Sequence, residues 1–144
     1  MNLIPNKESV PSGEDLEMIA AAMVEFKQVC LNVFGKDLDR IEPEHLDSVY
    51  HYFKKGTLFS KKKRNYAVLV LGSVLGELIC RDFGYEWKNL IYDDADGAEL
   101  GITHKDSYSI GHPYSVVRKR IRSREYAYFV PAYEMFADLI KEEA

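Results

Sequence analysis

The chain has 144 residues, 47% of them apolar and 29% charged, with nine Gly and five Pro. That length and apolar content exclude a disordered, low-complexity or collagen-like chain and predict a single domain over residues 1–144 with one buried core. The formal charge of −4 conceals alternating blocks of −6 (residues 1–50), +5 (51–92), −4 (93–106), +5 (107–124) and −4 (125–144), so the surface is zoned in sign.

In chain order, residues 1–11 read as irregular. Ser12-Gly13-Glu14-Asp15 supplies a helix N-cap followed by an acidic first turn, which favours the positive helix end. Leu16, Ile19, Ala20, Met23, Phe26, Cys30, Val33 and Phe34 then recur at helical spacing, predicting one long apolar stripe stopped by Gly35. Glu42-Pro43-Glu44 starts a second amphipathic helix through Leu46, Val49, Tyr50 and Phe53 to about Gly56. A third, over residues 61–83, begins with Lys61-Lys62-Lys63-Arg64 and is apolar nearly all round from Ala67 to Leu71, the pattern of a central buried helix. Gly72, Ser73 and Gly76 lack bulk and predict close approach of another backbone.

From Gly84 the period changes. Glu86 to Tyr92 and Glu99 to Thr103 read as antiparallel strands joined by Asp94-Ala95-Asp96-Gly97, with a short third strand near Tyr108 to Ile110. Pro113 opens a helix to about Arg122, with Val116, Val117 and Ile121 as its apolar face, and Pro131 opens a terminal helix carrying Tyr133, Phe136, Leu139 and Ile140. Residues 12–83 are thus mainly helical, 84–112 a small sheet and 113–144 helical. This order predicts an α+β fold: N-terminal helices and a central buried helix against a three-stranded antiparallel meander, followed by two C-terminal helices.

Leu71-Gly72-Ser73-Val74-Leu75-Gly76-Glu77 on a helix, Trp87 in a strand, Leu100-Gly101 in the next, and Pro113-Tyr114-Ser115-Val116-Val117-Arg118-Lys119-Arg120 on a later helix form a recognisable combination. It resembles a family of uncharacterised bacterial domains of unknown function, over about residues 71–140. The resemblance implies a bacterial source and this order of elements. It brings no activity, substrate or catalytic residue, and it leaves residues 1–60 unexplained.

Among motifs that mark chemistry, GxxxxGK[ST], GxGxxG after a strand, HExxH, GxSxG and zinc-type Cys/His spacings are all missing, and with them go the enzyme classes they signal. The acidic run Asp93 to Gly97 lacks the alternate-position ligands of a calcium loop and reads as a solvated hairpin turn, so no metal or cofactor is expected. His45 and His51, six apart, fall on different sides of their helix. His104 and His112 either meet across the meander edge or serve as surface and capping residues, the simpler reading. Cys30 and Cys80, 50 positions apart on apolar faces, read as reduced buried thiols. The opening Met1 to Lys7 lacks a basic and an apolar region, and the longest apolar stretch, Tyr66 to Cys80, is interrupted by Gly72, Ser73, Gly76 and Glu77. A cytoplasmic protein without a membrane span is therefore expected.

Two functional readings follow. Glu77 on the central helix is expected to find a cation, Arg81 or Arg118, or to have its pKa raised into the range of acid–base work. A packing ion pair is the preferred account. The catalytic alternative is an enzyme or small-ligand pocket lined by Glu77, Trp87, His112, Tyr114 and Arg118, with Glu77 and His112 as the chemical groups. The leading reading rests on charge. Lys54-Lys55, Lys61 to Arg64, and Arg118-Lys119-Arg120 with Arg122 and Arg124 hold eleven of the nineteen cations. On one face they would draw phosphate groups or an acidic protein surface, although a merely solvated face is the simpler account. Tyr126, Tyr128 and Phe129 lie nearby at core spacing rather than as a stacking platform, which disfavours nucleic acid. The expectation is a non-enzymatic domain that binds another protein, of immunity or regulatory type, through Lys62, Lys63, Arg64, Trp87, Tyr114, Arg118 and Arg120.

Overall fold

Local signals set the helix ends. In the computed structural model, which describes residues 5, 7–56, 60–92, 98–107, 109–123 and 129–143, Ser12 Oγ accepts from Asp15 N while Asp15 Oδ2 accepts from Ser12 N. This reciprocal cap starts α1 (Gly13–Phe34), and Gly35 ends it at φ 66°, a left-handed conformation that glycine adopts without a Cβ clash. At α2 (Pro43–Gly56) the imidazole of His45 reaches back to accept from Glu42 N at 2.8 Å, so this histidine is a capping residue. Ser60 caps α3 (Lys61–Phe83), and Gly84, at φ 74°, turns the chain straight into β2 (Tyr85–Ile91). Then follow β3 (Ala98–His104), β4 (Ile110–Gly111), α4 (Pro113–Ser123) and α5 (Phe129–Glu143).

The sheet has four antiparallel strands rather than three. Lys7–Ser9, expected to be irregular, forms β1 and pairs with Asn89 to Ile91. Its three side chains are exposed and show no alternation of polarity, so main-chain bonding to the open edge of β2 makes it a strand. β2 pairs with β3 from Tyr85 opposite His104 to Ile91 opposite Ala98. The third predicted strand shifts forward to Ile110–Gly111, opposite Thr103 and Ile102. The Asp94 to Gly97 turn, the Asp93 to Gly97 run, Tyr108, Arg124, Tyr126 and Tyr128 lie outside the described residues.

α3 is the central element: Ala67, Val70, Leu71, Val74, Leu75, Leu78 and Ile79 are buried, with α1, α2, α4, α5 and the sheet around them. α1 contributes less than its stripe suggested. Ile19, Ala22, Phe26 and Cys30 are buried at three- and four-residue spacing, but Leu16, Ala20, Val33 and Phe34 are exposed, so the buried stripe is narrower than expected. α5 begins at Phe129, before Pro131, because the Asp47 carboxylate of α2 accepts from Phe129 N and caps it from a distance. Pro131 then sits in the first turn, where a missing N–H costs nothing. No helix among the described residues is long and apolar enough to cross a membrane.

Candidate functional site

The glycines of α3 decide how the sheet and α4 approach it. A Cβ on Gly76 would overlap the Trp87 indole, and one on Gly72 would overlap the Tyr114 ring and crowd its Cα. Backbone comes close at Gly72, as expected, whereas at Gly76 the space is taken by a side chain. Trp87 then donates from Nε1 to Glu77 Oε1 at 2.8 Å, and its ring lies 5.8 Å from that of Tyr114. The Tyr114 hydroxyl and Ser73 Oγ bond at 2.7 Å in the buried interior. Burial pushes the Tyr114 phenol up, and the Ser73 bond opposes this.

Among the described residues, no cation lies within ion-pair distance of Glu77. Arg81 instead donates from Nε and Nη2 to both oxygens of Asp82 and from Nη1 to the Ile41 carbonyl. The reason is geometric: the turn at Gly84 folds β2 back along α3, so that Trp87 reaches Glu77 first, while the adjacent Asp82 offers Arg81 a two-oxygen partner. Glu77 lines neither of the two clefts described next.

The contacts at Gly72 and Ser73 anchor the start of α4, and from there α4 runs antiparallel to α3. Arg118, Ile121 and Arg122 of α4 come together with Lys61, Arg64, Asn65 and Val68 of α3. These side chains enclose a cleft of about 380 Å³ in which Lys61, Arg64, Arg118 and Arg122 surround an apolar floor of Val68 and Ile121. Two cations of each basic block, Lys61 and Arg64 from one and Arg118 and Arg122 from the other, thus line one cleft. Among the described residues, no carboxylate lies within ion-pair distance of Arg118 or Arg122. A second cleft of about 410 Å³ adjoins the first, with Asn65, Val68 and Arg118 in both walls. It lies between α1, α3, β3 and α4, over Met18, Leu69, Leu100 and the ring of Tyr114, and Asp15 and Glu99 stand on its far side. A third concavity of about 600 Å³ on the outer face of the sheet mixes Glu8 and Glu86 with Lys88 and Lys105 and has no single sign.

Beside the second cleft, Glu99 Oε1 accepts from Ser115 Oγ at 3.1 Å and lies 3.7 Å from His112 Nδ1. His112 Nε2 and the Tyr92 hydroxyl bond at 2.8 Å. Burial raises the Tyr92 phenol, and Glu99 adds to the effect. His104 takes other partners: its Nδ1 accepts from Ser107 N at 3.0 Å and its ring packs on Tyr85, so the two histidines do not form a pair.

Of the residues singled out from sequence, Tyr114, Arg118 and Arg64 come together at the clefts. Trp87 is buried against Gly76. Lys62 and Lys63 are exposed on the first turn of α3 but outside the cleft walls, and Arg120 turns toward α2, where its charge acts on Tyr50. Asn65, Ile121, Asp15 and Glu99 are wall residues that sequence reasoning did not place there. Lys61 with Asn65, and Arg118 with Arg122, are four apart and so share a helix face, which was a readable signal. The alignment of α3 with α4 was not readable.

The fold and clefts define an α+β protein with a charged, helix-walled groove beside a small antiparallel sheet. It belongs to the domain of unknown function DUF3806, whose sequence model matches residues 46–133. The match starts within α2 and ends within α5, earlier at both ends than the sequence resemblance, and leaves β1 and α1 outside. No curated protein and no solved structure matches the chain.

Proposed function

We propose that the protein is a non-enzymatic binding domain, bacterial and cytoplasmic, that recognises an acidic surface of a partner protein through the basic cleft between α3 and α4. One observation supports this reading above the others: Lys61 and Arg64 on one side of the sheet sequence, and Arg118 and Arg122 on the other, line one concavity. Cations gathered on a concave wall focus their field and raise the local concentration of anions, and arginine forks suit carboxylates. A partner that neutralises Arg118 and Arg122 also offsets the repulsion between them. An immunity-type or regulatory role for this protein fits such a surface.

Protein is favoured over nucleic acid on two counts. The chain is net negative, with a −6 block over residues 1–50, which repels a long phosphate backbone. Phe129, an aromatic near the basic block, is fully buried against Tyr50 and cannot stack on a base. A pocket centred on Glu77 has less support, since Trp87 already occupies its carboxylate. The two free cysteines suit a reducing compartment.

The test is fluorescence anisotropy with labelled poly-glutamate at low and physiological salt. Binding should weaken as salt rises and disappear in the Arg118→Glu/Arg122→Glu double variant. Poly-glutamate that fails to bind at low salt, or binds the double variant equally well, overturns the reading. So does a single-stranded oligonucleotide that binds more tightly than poly-glutamate.

A further inference from the structure

The basic cleft does not end at Arg118. Because Asn65, Val68 and Arg118 belong to both walls, the two clefts form one trough. Its ends differ in sign, with Lys61, Arg64, Arg118 and Arg122 toward one and Asp15 and Glu99 at the other. Between them lie Val68, Leu69 and Leu100. From Lys61 to Leu69 the α3 axis advances about 12 Å, which is the span of roughly four residues of extended chain. Ser115 engages only Oε1 of Glu99, whose side chain is 45% exposed and lines the trough, and among the described residues no hydrogen bond engages Oε2. Asp15 is less available, because Ser12 N and Asn89 Nδ2 both donate to its Oδ2.

We infer that the trough takes an extended peptide segment of ordered charge: acidic residues at the basic end, apolar residues over Val68 and Leu100, and one cation at Glu99. The inference rests on the acidic-partner reading and adds a polarity to it. A uniformly acidic segment would bring like charge against Glu99, whereas a segment with a lysine about four residues beyond its acidic pair satisfies both ends.

Two blocked hexapeptides separate the possibilities: Ac-Glu-Glu-Leu-Val-Leu-Lys-NH2, and the same peptide ending in Gln. Both are titrated into the 15N-labelled protein, and amide shifts give site and affinity. Both should move amides around Lys61, Arg64, Arg118 and Arg122 and at Leu100, and the lysine peptide should move the Glu99 amide further. An exposed ion pair makes it about two- to fivefold tighter. That increment should vanish in Glu99→Gln, which keeps the acceptor for Ser115. Equal affinities overturn the ordered-charge inference while the acidic-partner reading stands. An increment that survives in Glu99→Gln overturns the assignment of the cation to Glu99. Neither peptide moving the basic-cleft amides overturns both readings.

Discussion

Gly76 is where the packing tolerates least. A methyl there meets the rigid indole of Trp87, which is itself held by Glu77, so neither side yields cheaply. Gly76→Ala is expected to destabilise the fold by about 1–3 kcal/mol in urea denaturation, even though alanine is the better helix former. A neutral or stabilising result would mean that Trp87 repacks freely. Asp82 gives a pH signature. The Arg81 fork, then the Tyr133 hydroxyl, hold its carboxyl below the usual carboxylate range against the opposing effect of burial. A depressed folded-state pKa contributes stability that is complete above the ordinary carboxylate value of about 4 and is lost as pH falls through the folded value. The stability difference between wild type and Asp82→Asn should therefore shrink on acidification below about pH 4. A difference that grows there would contradict this account.

Elements whose boundaries depend on neighbours in sequence were legible, and those set by distant partners were not. Ser12, Gly35, Ser60 and Gly84 begin and end their helices by caps within a few residues, and the composition around them says so. β1 has no such signal, since Lys7-Glu8-Ser9 becomes a strand only because the edge of β2 is there to receive it. α5 starts where Asp47, on another helix, supplies an acceptor. Asp47→Ala should leave α2 intact, speed hydrogen exchange in the first turn of α5 and cost about 1 kcal/mol. Unchanged exchange at Phe129 and Val130 would show that α5 needs no such cap. The candidate site divides the same way. Its cations and their helical spacing were visible, but the acidic end comes from α1 and β3, and only the folded chain brings these to α4.

At the level of the whole molecule, the small net charge is the remainder of large opposing zones that the fold sorts in space. Bringing Lys61, Arg64, Arg118 and Arg122 around one cleft places like charges together in the unliganded protein. Arg118→Glu is therefore expected to stabilise the free protein slightly, by up to about 0.5 kcal/mol at low salt, while it abolishes poly-glutamate binding. Thermal denaturation at low and high salt checks the first half; a destabilised variant would show that Arg118 holds the fold rather than a partner.

The two rims of the sheet carry a separate consequence. β1 spans three residues, beginning with the charged Lys7, and β4 spans two. A long bare rim offers a row of N–H and C=O groups that templates a neighbouring chain, as in strand addition and in the seeding of fibrils. Rims this short give an incoming strand almost nothing to register against. β1 pairs only with Asn89 to Ile91 of the seven-residue β2, so peeling it away would lengthen the uncovered flank of β2, the place where self-association would begin.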